Sequence, residues 1–184
     1  KAKDPEFTHY MASFRLEELR EEILRGFPKN RYFRLVKPAW AISPEDFMPI
    51  RYKYFRSTYL PRPNIDQRIR ELIERGEHVV LVGESLSGKS RSAYEAIRSF
   101  PDRIILIPEV TNVSADFEVP DLSQPTIAFV DDIDTFLGQD GATTALRRLH
   151  TAGIPILVTC RFGPEYGFFQ EELEKKDYRL SEAF

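Results

Sequence analysis

The chain has 184 residues, 42% hydrophobic, 12% aromatic and 30% charged. At roughly 150 residues per domain this makes one domain with an appendage and excludes two full catalytic domains. No run approaches the roughly 20 apolar residues of a membrane span and no basic-then-apolar leader opens the sequence, so a soluble cytoplasmic protein with no membrane partner is expected. The single Cys160, with scattered His9, His78 and His150, excludes an intramolecular disulfide and a Cys/His zinc site and leaves oxygen ligands for any metal. The net charge of -3 is unevenly spread: residues 1–75 carry 16 Lys/Arg against 11 Asp/Glu, and the remainder 10 against 18. The acidic excess argues against phosphate-backbone binding by the C-terminal part.

Residues 1–10, KAKDPEFTHY, have no helical or strand periodicity and precede Met11, which reads like a natural start; they are expected to be an expression remnant. From Phe14 to Gly26, FRLEELREEILRG sets Phe14, Leu16, Leu19, Ile23 and Leu24 near helical spacing, with Gly26 and Pro28 as stop signals. Residues 31–60 interleave aromatic and basic side chains, which predicts short strands and loops. The helix and this segment make up an N-terminal unit, 11–58, ahead of a core at 59–184. Pro61 and Pro63 mark the boundary, and Ile65 to Arg75 reads as an amphipathic helix with Ile65, Ile69, Leu72 and Ile73 inward, closed by Gly76.

Beyond Gly76, four short runs rich in Val and Ile predict buried parallel strands: His78 to Val82, Arg103 to Ile107, Ile127 to Val130 and Ile156 to Thr159. Lys89 to Ser99, Gly141 to Thr151 and Glu171 to Leu180 read as helices. This alternation predicts an α/β fold with a mainly parallel open sheet, preceded by a small α+β segment, with ligands bound at the carboxyl ends of the strands.

The most specific signal is Gly83-Glu84-Ser85-Leu86-Ser87-Gly88-Lys89-Ser90, a complete G-x-x-x-x-G-K-[ST] match between a predicted strand and a predicted helix. Gly83 and Gly88 allow the backbone to wrap a polyphosphate, and the helix N-terminus aims its N–H groups at it. Lys89 brings a point charge for β- and γ-phosphate oxygens, and the Ser90 hydroxyl suits a hydrated Mg²⁺. Ser85 and Ser87 serve as spacers or backbone donors. Arg91, in the first helical turn, reaches either phosphate or solvent. About 40 residues on, TIAFVDDID ends an apolar strand in acids. If that strand neighbours the loop strand, Asp131 holds Mg²⁺ through water and Asp132 polarises an attacking water. The plain alternatives are a glycine-rich turn with an incidental lysine and a strand ending in an acidic turn.

A third run, Ile154 to Arg161, is a buried strand ending in a polar residue and an arginine. Together GESLSGKS, IAFVDDID and ILVTCR resemble the STAND family of signal-transduction ATPases, relatives of NACHT, NB-ARC and AAA+ modules. The resemblance covers about residues 59 to 161. It implies a three-layer P-loop NTPase fold, ATP or ADP as ligand, Mg²⁺ as cofactor and hydrolysis to ADP and phosphate that gates self-association or an effector domain. By analogy Lys89 and Asp132 are the catalytic pair, Arg161 senses the γ-phosphate, and Thr159 lies near the attacking water; a surface arginine paired with a nearby acid is the alternative for Arg161. Tyr59-Leu60-Pro61-Arg62-Pro63 occupies the place of an adenine pocket with Arg62 by the nucleotide, or is a plain proline-rich linker. The strand Arg103 to Ile107 intervenes between the loop and acid strands. In additional-strand ATPases an extra strand separates those two, whereas in P-loop kinases and GTPases they are neighbours. The chain ends about 20 residues after Arg161, before the closing strand, lid and winged helix of the family, which predicts a C-terminally incomplete core and weak activity in isolation.

Two other readings compete. Arg51, Lys53 and Arg56, alternating with Tyr52, Tyr54 and Phe55, are expected to be a strand packed by its aromatic face. As a nucleic-acid contact, which is not favoured, they would instead suit an AAA+-like DNA-associated ATPase. A P-loop kinase is the third reading.

Overall fold

A computed structural model describes residues 30–48 and 58–184. The expected remnant at 1–10, the expected helix from Phe14 and the Arg51 to Arg56 alternation lie outside the described residues. The fold is α/β, built on a five-stranded, mainly parallel sheet with helices on both faces.

The strands are β1 (Phe33–Pro38), β2 (Val79–Gly83), β3 (Ile104–Pro108), β4 (Thr126–Val130) and β5 (Ile156–Arg161). They lie in the order β1-β3-β4-β5-β2, all neighbours parallel except β1, which runs antiparallel to β3. β3 and β4 are buried at all five positions. Their runs are continuously apolar because both faces are covered, so no polar alternation survives. As expected, one strand separates the loop strand β2, at the edge, from the acid strand β4. Its identity differs from the expectation: it is β5, the last in sequence, while Ile104–Pro108 lies beyond β4.

One face is covered by α1 (Pro44–Phe47), α2 (Pro63–Glu74) and α3 (Lys89–Arg98). Ile69, Ile73, Ala93, Ala96 and Ile97 pack there on Ile105, Ile127, Phe129 and Leu157. The other face is covered by α4 (Ile133–Leu137), α5 (Ala142–Thr151), α6 (Pro164–Lys176) and α7 (Tyr178–Ala183), with Phe136, Leu146 and Phe169 against Ala128, Val130, Ile156 and Val158. Ser43 and Asp46 form a reciprocal capping box that starts α1 with Pro44 in its first turn.

Two sequence expectations need correction. The single helix Glu171 to Leu180 is two: α6 begins earlier, at Pro164, and stops before Asp177. There the carboxylate turns back to accept the Leu180 N–H at 3.2 Å and to pair with Arg147, capping α7. On α2, Ile65 is 47% exposed while Asp66 is buried. The inward position belongs to Asp66 because that carboxylate has partners behind the loop, described below.

At the amino end of the sheet, His78 Nδ1 accepts the Ile156 N–H at 3.0 Å, so its proton resides on Nε2, which lies 2.8 Å from His150 Nδ1. The Phe184 ring lies 4.9 Å from that of His78. Burial and the facing His150 push the His78 pKa down from 6.5 to about 4. The folded chain therefore binds fewer protons than the unfolded one between these values, and the contribution of neutral His78, complete above pH 6.5, is lost as pH falls toward 4. Thermal unfolding between pH 7.5 and 4 should show this decline, with the His78→Gln variant showing a flatter one; equal slopes would contradict it.

Candidate functional site

The loop at 83–90 leaves β2 at its carboxyl end and feeds directly into α3. Gly88, at φ 87°, is left-handed where the chain turns into the helix, the conformation that glycine adopts without strain. A Cβ on Gly83 would come within 2.9 Å of Ser87 Oγ, so a larger residue there would make that hydroxyl turn away. Leu86 also has positive φ, at 61°, and is 94% exposed at the loop tip.

Lys89 Nζ donates to the carbonyls of Gly83 and Glu84, each at 2.8 Å, so the ammonium sits inside the arch of its own loop. The next residue reaches across the sheet: Ser90 Oγ donates to Asp131 Oδ1 at 2.8 Å. Thr159 Oγ1, on the intervening β5, donates to the same oxygen at 2.6 Å and accepts the Asp132 N–H at 2.9 Å. One hydroxyl therefore holds both acids. Asp132 takes the left-handed conformation, φ 50° and ψ 65°, as the residue before α4, a region that Asp tolerates better than most residues.

These groups frame a cleft of about 390 Å³ at the carboxyl ends of β2 and β5, lined by Met48, Ser85 to Arg91, Asp132 and Arg161. Arg161 is the last residue of β5, beside Gly83 in register and exposed. Arg91 pairs with Glu95 at 2.6 Å and lies over the Tyr59 ring at 5.4 Å. Gly83, Glu84, Ser85, Leu86, Ser87, Gly88, Lys89, Ser90, Arg91, Asp132 and Arg161 thus gather at or around one cleft; Asp131 does not line it but is bonded to Ser90, which does. Arg62 is placed differently. Its guanidinium lies behind the loop, donating to Ser87 O at 3.2 Å, Gly88 O at 3.1 Å and Ser92 Oγ, and does not line the cleft.

Sequence reasoning missed Met48, which no motif marks, and placed Thr159 near a water, not between the acids. A larger groove of about 730 Å³ runs along β2 past His78, His150 and Phe184. The smaller cleft is the better candidate because a lysine, two arginines, three serines and an aspartate converge there at a helix N-terminus. The Cys160 thiol, buried on β5, has its pKa pushed up to about 11 by desolvation and is unsuited to nucleophilic chemistry.

Among the described residues no three His, Cys, Asp or Glu side chains cluster to hold a metal. Mg²⁺ does not need such a cage: it keeps most of its waters and takes one or two protein ligands. The Ser90 hydroxyl and Asp131 carboxylate, 2.8 Å apart, fit that demand. No helix among the described residues is long and apolar enough to cross a membrane. No protein-family model matches the chain, and no curated protein matches it.

Thr159 is fully buried, so its two bonds cannot be replaced by water. Thr159→Val keeps the shape, strands the Asp132 N–H and removes one donor from Asp131. It should destabilise the fold by about 1–3 kcal/mol in denaturant titration, with Thr159→Ser close to wild type; a neutral Thr159→Val would show that these bonds are unimportant.

Proposed function

We propose that the chain is the P-loop core of an ATP-binding, Mg²⁺-dependent NTPase, a switch module of STAND type that hydrolyses ATP to ADP and phosphate. Its nucleotide state would gate self-association or an effector. The observation that carries this reading is the bonding of Ser90, at the N-terminus of the helix following the glycine-rich loop, to Asp131 on another strand, with Lys89 inside the loop. A phosphate-binding element and an acid with magnesium-ligand chemistry then meet at one point.

The steps follow from the residues. Loop amides and the α3 N-terminus receive the β- and γ-phosphates, and Lys89 exchanges its two loop carbonyls for phosphate oxygens. Ser90, directly, and Asp131, through water, would hold a Mg²⁺ ion, which would neutralise phosphate charge. Asp132, its backbone held by Thr159, accepts the proton of the water that attacks the γ-phosphorus as the bond to the β–γ bridging oxygen breaks, leaving ADP and phosphate. Arg161, across the cleft, meets the charge on the γ-phosphoryl oxygens and can register its departure. The position of β5 between β2 and β4 supports water as acceptor and weighs against the kinase reading. ATP over other nucleotides and the STAND assignment rest on the resemblance of the three motifs.

Calorimetry with ADP and ATP, paired with phosphate release, tests this reading. Lys89→Ala should weaken binding about 100-fold. Asp132→Asn should bind within about threefold of wild type and lose at least about 100-fold in turnover. No nucleotide binding by the wild-type chain would refute the reading; full turnover by Asp132→Asn would remove that residue as base.

A further inference from the structure

The segment just before α2 is tied to the back of the loop. Asp66, 6% exposed in the first turn of α2, accepts the Tyr59 hydroxyl at 2.7 Å and the Arg62 N–H at 2.8 Å. The Tyr59 oxygen is also 3.0 Å from Ser92 Oγ, on α3. Arg62, its backbone fixed in this way, spreads its guanidinium over Ser87 O, Gly88 O and Ser92 Oγ. A carboxylate this buried is tolerable only with such hydrogen bonds, and a guanidinium suits three acceptors because its donors form a rigid fork.

The consequence for the loop lies in peptide geometry. In a trans peptide the N–H points opposite to the C=O of the same unit. The Ser87 carbonyl points at Arg62, and the Gly88 carbonyl accepts both from Arg62 and from the Ser92 N–H at 2.9 Å, so the amides of Gly88 and Lys89 are turned to the other side, the first held by Arg62 and the second by Arg62 together with the helix. Lys89 imposes the same order on the start of the loop through Gly83 O and Glu84 O, but gives up those bonds when it turns to a ligand. The Arg62 bonds have no such conflict, since they lie outside the cleft.

We infer that Tyr59, Arg62, Asp66 and Ser92 form a strut that presets the Gly88 and Lys89 amides for a phosphate group, making them positioning residues of the nucleotide site. This inference rests on the nucleotide reading above and deepens it. The strut acts on phosphate affinity alone, because none of its contacts involves Ser90 or Asp131.

That separation supplies the test, made with the full chain and ADP, with magnesium and with a chelator. Arg62→Gln should weaken ADP binding about 10- to 100-fold by the same factor in both conditions. Arg62→Lys, a point charge that cannot span three acceptors, should fall between it and wild type. Tyr59→Phe should lose about threefold, again independently of magnesium, whereas Asp131→Asn should lose only the increment that magnesium adds. If Arg62→Gln fails to fold, Tyr59→Phe, which deletes one hydroxyl, decides the matter by the same criterion. Wild-type binding with unchanged affinity in Arg62→Gln and Tyr59→Phe would overturn the strut and leave the nucleotide reading intact. A loss confined to the magnesium condition would also overturn it. Failure of the wild-type chain to bind ADP would remove both.

Discussion

The arrangement depends on one oxygen. Asp131 Oδ1 accepts from Ser90 on α3 and from Thr159 on β5, and Thr159 in turn accepts the Asp132 N–H. Three elements that are far apart in sequence, the loop helix, the acid strand and the strand between them, are fastened at the carboxyl edge of the sheet. Charged acceptors make the stronger hydrogen bonds, and here the hydroxyls that serve the carboxylate are themselves fixed by a helix start and a buried strand. The α3 N-terminus is thereby set relative to the acids without a direct β2–β4 contact.

The strand order explains why such a fastening exists. With β5 between β2 and β4, the loop and the acids are separated by the width of one strand, and adjacent strands lie about 4.8 Å apart. Ser90 spans that gap directly, and a side chain on the central strand can brace the acid from beneath. Thr159 is suited to this: its hydroxyl both donates and accepts, and its β-branched stem belongs in a buried strand. The same strand ends two residues later in Arg161, so β5 carries a buried hydroxyl to the acids and an exposed guanidinium to the cleft.

Much of this was legible in the sequence for identifiable reasons. Three of the parallel strands, β3, β4 and β5, announced themselves because burial on both faces left continuous apolar runs; β2 shows the same Val-rich run but, at the sheet edge, is only partly buried, short of the expected burial. The loop was legible because glycine, lysine and serine stand at fixed spacing between a strand and a helix. What escaped was non-local. Nothing in FRLVKP distinguishes an antiparallel edge strand from a loop until β3 is beside it. Spatial order in the sheet is not contained in sequence order, so the inserted strand was sought at Arg103 to Ile107 and found at the end of the series. Asp177 and Asp66 escaped for a related reason: each is engaged with backbone or hydroxyl groups that sequence periodicity does not reveal. Arg62 was expected at the nucleotide because of its place before α2, yet its acceptors are the carbonyls behind the loop.

Local charge also departs from the charge of the half of the chain that contains it. Residues 76–184 carry 18 acidic against 10 basic side chains, but the cleft gathers Lys89, Arg91 and Arg161 around Asp132. Such clustering in an acidic half would be unfavourable unless each cation had a local anchor or open solvent. Lys89 rests on two carbonyls, Arg91 on Glu95, and Arg161 is exposed at the strand end. Under the proposed function the net negative charge of residues 76–184 would disfavour polyanions in general, while the cleft, with its helix N-terminus, would attract a phosphate. An isolated nucleotide can enter that field at close range, whereas a long nucleic-acid backbone would meet repulsion along the rest of this half.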